Sequence, residues 1–305
     1  MKMRNVILVT LAAVLLVVAA LAGCSTQDTG ETGTTGVVTV ASKPHAEQFI
    51  LGEIMAIMLE EKTALEIRRN FGIAGGTSNL HPAMENGEID MYPEYTGTGW
   101  MFVLKEDVIN DPDLIYQSVK QKYQEQYNIT WLEQFGFNNT YTLALPSTLA
   151  EEYKLKTFTD LGEVSENFVF GAEFDFYERD DGFNALAETY NLNFKETKDM
   201  DIGLKYQAID AGEVDVINAF STDGAIKRFN LTVLEDDKQF FPPYYCAPIV
   251  RTETLEAHPE IADVLNELAG IITDDVMTEL NYEVDVQNRE AADVAHEFLE
   301  SAGLL

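Results

Sequence analysis

Apolar residues fill Val6–Ala22 with Thr10 as the one polar break, then stop: Ser25–Gly36, STQDTGETGTTG, offers nothing large enough to bury. From Val37 onward short apolar runs alternate with longer periodic stretches. VVTVAS (Val37–Ser42) predicts a buried strand. AEQFILGEIMAIMLEEKT follows, with apolar residues at 46, 49, 50, 54, 57 and 58, the spacing of a helix. LEIRRNFG alternates as a second strand would. GGTSNLHPAMENGEIDMYPEYTG predicts a glycine loop, a helix from Thr77 or Ser78 stopped at Gly87, and a strand Ile89–Tyr92 ended by Pro93. One polar helix is expected over Asp107–Tyr127 and a strand over Thr140–Pro146.

The pattern then starts again. FVFGAEFDF predicts a strand, DGFNALAETYNL a helix, and GLKYQAIDAGEVDVINAF a helix, a glycine stop and a strand. QFFPPYYCAPIVR (Gln239–Arg251) is a proline-rich crossing into a further strand, and helices occupy the tail. The phrase GEIDMYPEYTGTGW (Gly87–Trp100) has an echo in GEVDVINAFSTDG (Gly212–Gly224). Alternating strands and helices argue for α/β lobes with mostly parallel sheets. In such sheets ligands collect beyond the carboxyl ends of strands, where both phrases place polar and aromatic residues.

Lys2 and Arg4 before the apolar run make a secretory leader, too short for a membrane span of about 20 residues. LAGC (Leu21–Cys24) resembles the lipobox of bacterial lipoproteins. That resemblance implies removal of residues 1–23, lipid on Cys24 and a flexible tether over 24–36. The second cysteine, Cys246, is then alone, so neither a disulfide framework nor a cysteine zinc site is available, and it reads as a small buried hydrophobe.

The net charge of −32 (20 basic against 52 acidic residues) argues against nucleic acid or an anionic membrane as partner. Four histidines, at 45, 81, 258 and 296, show no metal spacing, and no nucleophile motif is present, so neither catalytic nor metal-binding residues are nominated.

Aromatic residues gather at element ends: Tyr92 and Tyr95, Tyr141, Phe220, and Phe240, Phe241, Tyr244 and Tyr245. Aromatics converging from separate strands can box a cation, each contact contributing about 0.5–2 kcal/mol. The same residues could equally be core. A cationic amino acid or polyamine would instead need cleft carboxylates, with Glu94, Glu173, Asp175 and Asp223 as candidates.

VASKPHAEQFILGEIMAIMLEE, GGTSNLHPAMENGEIDMYPEYTGTGW, GFNNTYTLAL, STDGAI and DDKQFFPPYYCAPIVR resemble the substrate-binding proteins of osmoprotectant ABC transporters, over Val37 to nearly the C-terminus. The resemblance implies a type II periplasmic-binding fold with two crossings, lobe 1 being 37–142 plus 245–305 and lobe 2 being 143–244. It implies a monomer that takes no cofactor, captures glycine betaine, choline or carnitine, and delivers it to a permease and ATPase. An extracellular enzyme is the remote alternative. Carried over by motif, Tyr95, Tyr141, Phe220 and Tyr244 would wall the cage, with Gln48, Thr98 and Asn139 as polar contacts and His45, Tyr92 and Tyr245 as further candidates. The chain departs from the family's usual pattern at Pro44, His45 and Ala46, at Phe220 in place of tyrosine, and at Tyr245–Cys246 in place of Asp-Ala. These departures bear on which ligand is preferred.

Overall fold

The computed structural model describes residues 36–179 and 182–305; the leader, Cys24 and the tether to Thr35 lie outside them. The strands are β1 (Val37–Ala41), β2 (Glu66–Asn70), β3 (Met91–Tyr95), β4 (Ile129–Trp131), β5 (Tyr141–Pro146), β6 (Val169–Ala172), β7 (Glu196–Asp199), β8 (Val216–Phe220), β9 (Leu231–Val233) and β10 (Cys246–Arg251). They form two five-stranded sheets, ordered β2-β1-β3-β10-β4 and β7-β6-β8-β5-β9. Each sheet has three parallel strands and then an antiparallel strand, β10 or β5, that enters from a crossing. The chain changes sheet between Trp131 and Tyr141 and again between Val233 and Cys246.

The echoed phrases do the same structural work twice. Gly87 and Gly212 both take positive φ, 73° and 70°, where a side chain would be strained, and end their helices. The aspartates that follow reach back to neighbouring strands. Asp90 Oδ2 accepts from Thr39 N at 2.8 Å, and Asp215 Oδ2 accepts from Val169 N at 2.8 Å. Each carboxylate thereby pins a parallel pair, β1 with β3 and β6 with β8. The strands then deliver Tyr95 and Phe220 at their carboxyl ends.

Three sequence expectations shift. The first-copy strand begins at Met91 and runs through Pro93 to Tyr95. Pro93 is tolerated because it lies opposite Pro248 and, on its other side, past the last residue of β1, a side chain takes the place of a strand: Gln48 Nε2 donates to the Pro93 carbonyl at 3.1 Å. The polar helix starts at Pro112, not Asp107, because Asp111 caps it by accepting from Leu114 N at 2.8 Å. Between them, Thr98–Val103 forms a wide π turn that the pattern did not predict.

The helix Ala46–Lys62 is buried nearly all round from Ile50 to Leu59. It packs against the first sheet on one side and the tail helices Asp274–Asp285 and Ala291–Ser301 on the other. Its apolar residues therefore exceed a single stripe.

Candidate functional site

A cavity of about 530 Å³ lies between the lobes. The first lobe supplies Lys43, Pro44 and His45 from the loop after β1, the glycine loop Ala74–Ser78, Tyr95 at the end of β3, and Thr98 and Phe102 from the π turn. The second lobe supplies Tyr141 at the start of β5, residues between Glu173 and Arg179, Met200–Gly203 and Phe220. Asn139 and Tyr244 come from the crossings.

Tyr141 is the centre of the aromatic wall. Register places it directly opposite Phe220 on β8, with ring centroids 4.8 Å apart. Tyr244 meets it edge-on at 5.5 Å and 84°. Phe176 and Phe241 sit at 5.2 and 5.5 Å. The Tyr244 ring packs against Gly97, where a Cβ would come within 2.6 Å of it; any larger residue there would displace the wall.

The remaining ring faces carry charge. The Arg179 guanidinium is 5.5 Å from the Tyr141 centroid and 5.1 Å from that of Phe102. Lys43 Nζ is 4.7 Å from the Tyr95 centroid, and Lys205 Nζ is 4.6 Å from that of Phe220. Both lysines are compensated below the surface: Lys43 pairs with Glu94, and Lys205 with Glu173 at 3.3 Å.

His45, Tyr95, Thr98, Asn139, Tyr141, Phe220 and Tyr244 are thus brought together on one cavity. Gln48, Tyr92 and Tyr245 are not among its lining residues. Gln48 is fully buried one layer behind, donating to the Tyr95 hydroxyl at 3.0 Å and accepting from Lys43 N at 3.2 Å. It holds the cage wall in place. Tyr92 points into the first-lobe core and donates to Glu94 at 3.1 Å. Tyr245 pairs with Asn138 in the crossing.

Of the four candidate acids, Glu173 and Asp175 line the cavity. Glu94 is buried under Lys43, Thr77 and Tyr92, and Asp223 is held by the Tyr206 hydroxyl and Phe220 N. Sequence reasoning missed Phe102 and Arg179. The signal for Phe102 needed the π turn, and Arg179 sits in a charged stretch, YERDDG, that reads as solvated surface.

His45 stacks on Phe220 at 6.0 Å and 10°. Burial, then the Lys43 and Lys205 charges, push its pKa down to about 3, so it stays neutral beside the cage. The sign follows: below 6.5 the unfolded chain takes up a proton that the folded chain refuses until about pH 3, and folded stability falls across that window. His45→Asn removes this dependence. The melting temperature of the wild type minus that of the variant should fall as pH drops from about 8 to about 5. A pH-independent difference would contradict the burial argument.

The model for the substrate-binding domain of ABC-type glycine betaine transport systems matches residues 36–301. The chain belongs to this family. It is 43% identical over 267 residues to the ergothioneine transport permease/ergothioneine binding protein of Helicobacter pylori (strain G27), a match covering 88% of this chain and 48% of that protein. The chain thus spans about half the length of that relative. It is 36% identical to the carnitine transport binding protein of Listeria monocytogenes, covering 86% of each. A solved glycine betaine/carnitine/choline ABC transporter structure aligns at TM-score 0.72 and 32% identity, over 88% of this chain and 99% of that one. The chain is a two-lobed, type II periplasmic-binding member of this substrate-binding family.

Proposed function

We propose that the cavity captures a betaine, a quaternary ammonium joined to a carboxylate, and that lobe closure presents it to a permease and its ATPase. The observation that carries this is the pairing of an aromatic wall (Tyr95, Tyr141, Phe220, Tyr244) with Arg179 on the same cavity. A quaternary ammonium has no N–H to satisfy, so ring faces suit it. A guanidinium suits a carboxylate. Ergothioneine and carnitine, the compounds named for two relatives, are both betaines with further polar groups, and the cavity lining includes polar partners in Asn139 and in the Ala74–Ser78 segment. Glu173 is paired with Lys205 and accepts a hydrogen bond from Asn218 Nδ2 at 2.8 Å, so this cavity carboxylate has little charge to offer a polyamine. The protein then acts by binding alone, without catalysis. Lipid on Cys24 would hold it as a monomer at the outer face of the membrane, on a tether ending near residue 36.

Calorimetry with glycine betaine, carnitine, choline and ergothioneine tests the reading; absence of binding by all four, or preference for putrescine, would overturn it. Arg179→Ala should weaken carnitine and glycine betaine about tenfold or more while changing choline, which lacks a carboxylate, by less than about threefold. Equal losses would remove Arg179 from carboxylate recognition.

A further inference from the structure

Glu47 lies at the start of the Ala46–Lys62 helix, 3% exposed. Four donors from four separate segments converge on its carboxylate. Oε1 accepts from the Tyr95 hydroxyl at 2.7 Å and from Asn139 Nδ2 at 2.7 Å. Oε2 accepts from the Thr222 hydroxyl at 2.5 Å and from Asn281 Nδ2 at 3.0 Å. Asn281 Nδ2 also donates to the Thr222 carbonyl at 3.0 Å.

The two oxygens divide the molecule between them. Tyr95 and Asn139 line the ligand cavity. Thr222 follows Phe220 off the end of β8, so it belongs to the opposite lobe. Asn281, on the tail helix of the first lobe, grips the same threonine. Burial raises the Glu47 pKa while all four donors pull the other way. A buried carboxylate stays ionised only while such donors are in place. Movement of Thr222 away from Glu47 would strip one donor from Oε2 and leave the charge under-compensated.

We propose that Glu47 is a positioning residue that couples cage geometry to lobe closure, with Thr222 as its interlobe latch. The coupling rests on the reading of the cavity as a ligand site that closes. Glu47 touches no ligand. It sets the Tyr95 ring and the Asn139 amide through one oxygen and senses the second lobe through the other. Closure and a correctly built cage are then one event, because both complete the same carboxylate.

Thr222→Val keeps the side-chain shape and deletes the donor, whereas Thr222→Ser keeps the hydroxyl. In the full chain without ligand, amide exchange in peptides covering Ser221–Asp223 and Asn281 should rise about tenfold in the valine variant and return near wild type in the serine variant. Dissociation of whichever compound of the four-member panel binds should speed up about tenfold in Thr222→Val, with association little changed. Wild-type exchange in Thr222→Val, or Thr222→Ser behaving like valine, overturns the latch. Faster exchange with unchanged dissociation overturns its coupling to the ligand. If none of the four compounds binds and the exchange pattern is as expected, the ligand reading fails while the latch stands.

Discussion

Tyr141→Ala should reduce affinity for a quaternary ammonium by about a hundredfold or more, the largest single effect expected at this site. Its ring meets Phe220 at 4.8 Å and Tyr244 at 5.5 Å, and the Arg179 guanidinium lies 5.5 Å from its centroid. Removing it deletes one cage face and withdraws support from two others, so the loss exceeds a single cation–π contact of about 2 kcal/mol. Tyr141→Phe should keep most of the affinity, because the π face and the packing remain. Titration calorimetry on both variants separates the cases. Affinity retained in the alanine variant would move recognition to the cavity carboxylates, Glu173 and Asp175 among them. Tyr141 also packs on Phe176 and Phe241, so circular dichroism must show that the alanine variant is folded.

Lys205→Met should cost about 3–5 kcal/mol of folding stability. The side chain is 1% exposed, 3.3 Å from Glu173, with its charge 4.6 Å from the Phe220 centroid. Methionine matches its length but strands a Glu173 carboxylate that Asn218 alone cannot compensate. The double variant Lys205→Met/Glu173→Gln should recover part of the loss, because the Glu173 charge is gone and the amide oxygen still accepts from Asn218, while Asp223 and Asp285 still lack the cation that favours their ionised forms. Urea denaturation of the three proteins closes the cycle. A double variant no more stable than Lys205→Met would show that packing, not the charge pair, sets the cost. The pair also bears on the departure at residue 220: Lys205 sits against the Phe220 ring as Lys43 sits against that of Tyr95, so the two sides of the cage match in charge and differ in hydroxyls.

Much of this protein was legible along the chain because its signals are local. Helical spacing located the Ala46–Lys62 helix, and glycine stops located the ends of the echoed helices at Gly87 and Gly212. The aromatic candidates fell at strand ends, and the echo between the two halves corresponds to two sheets of the same order. Other features depended on distance in sequence. Pro93 looked like a strand end because a missing N–H is a local fact, whereas the Gln48 side chain that donates to its carbonyl arrives from 45 residues away.

Gln48 itself shows the boundary most clearly. Its motif marked it as part of the site, but the residue is fully buried behind the cavity lining. The side chain turns inward, because Pro93 O and the Tyr95 hydroxyl offer buried partners that water would otherwise have to supply. Arg179 shows the reverse, since a charged run looks solvated until a fold lays it over Tyr141 and Phe102.

The α/β alternation, the doubled architecture and the supply of aromatic residues can be read along the chain, since periodicity, glycine stops and residue type act over a few positions. Which of those aromatics face one another depends on contacts between distant segments. The β5–β8 register sets Tyr141 against Phe220, and the crossings bring in Tyr244. A cage and a latch are relations between segments distant in sequence, and register, crossing geometry and burial create those relations only once the chain is folded.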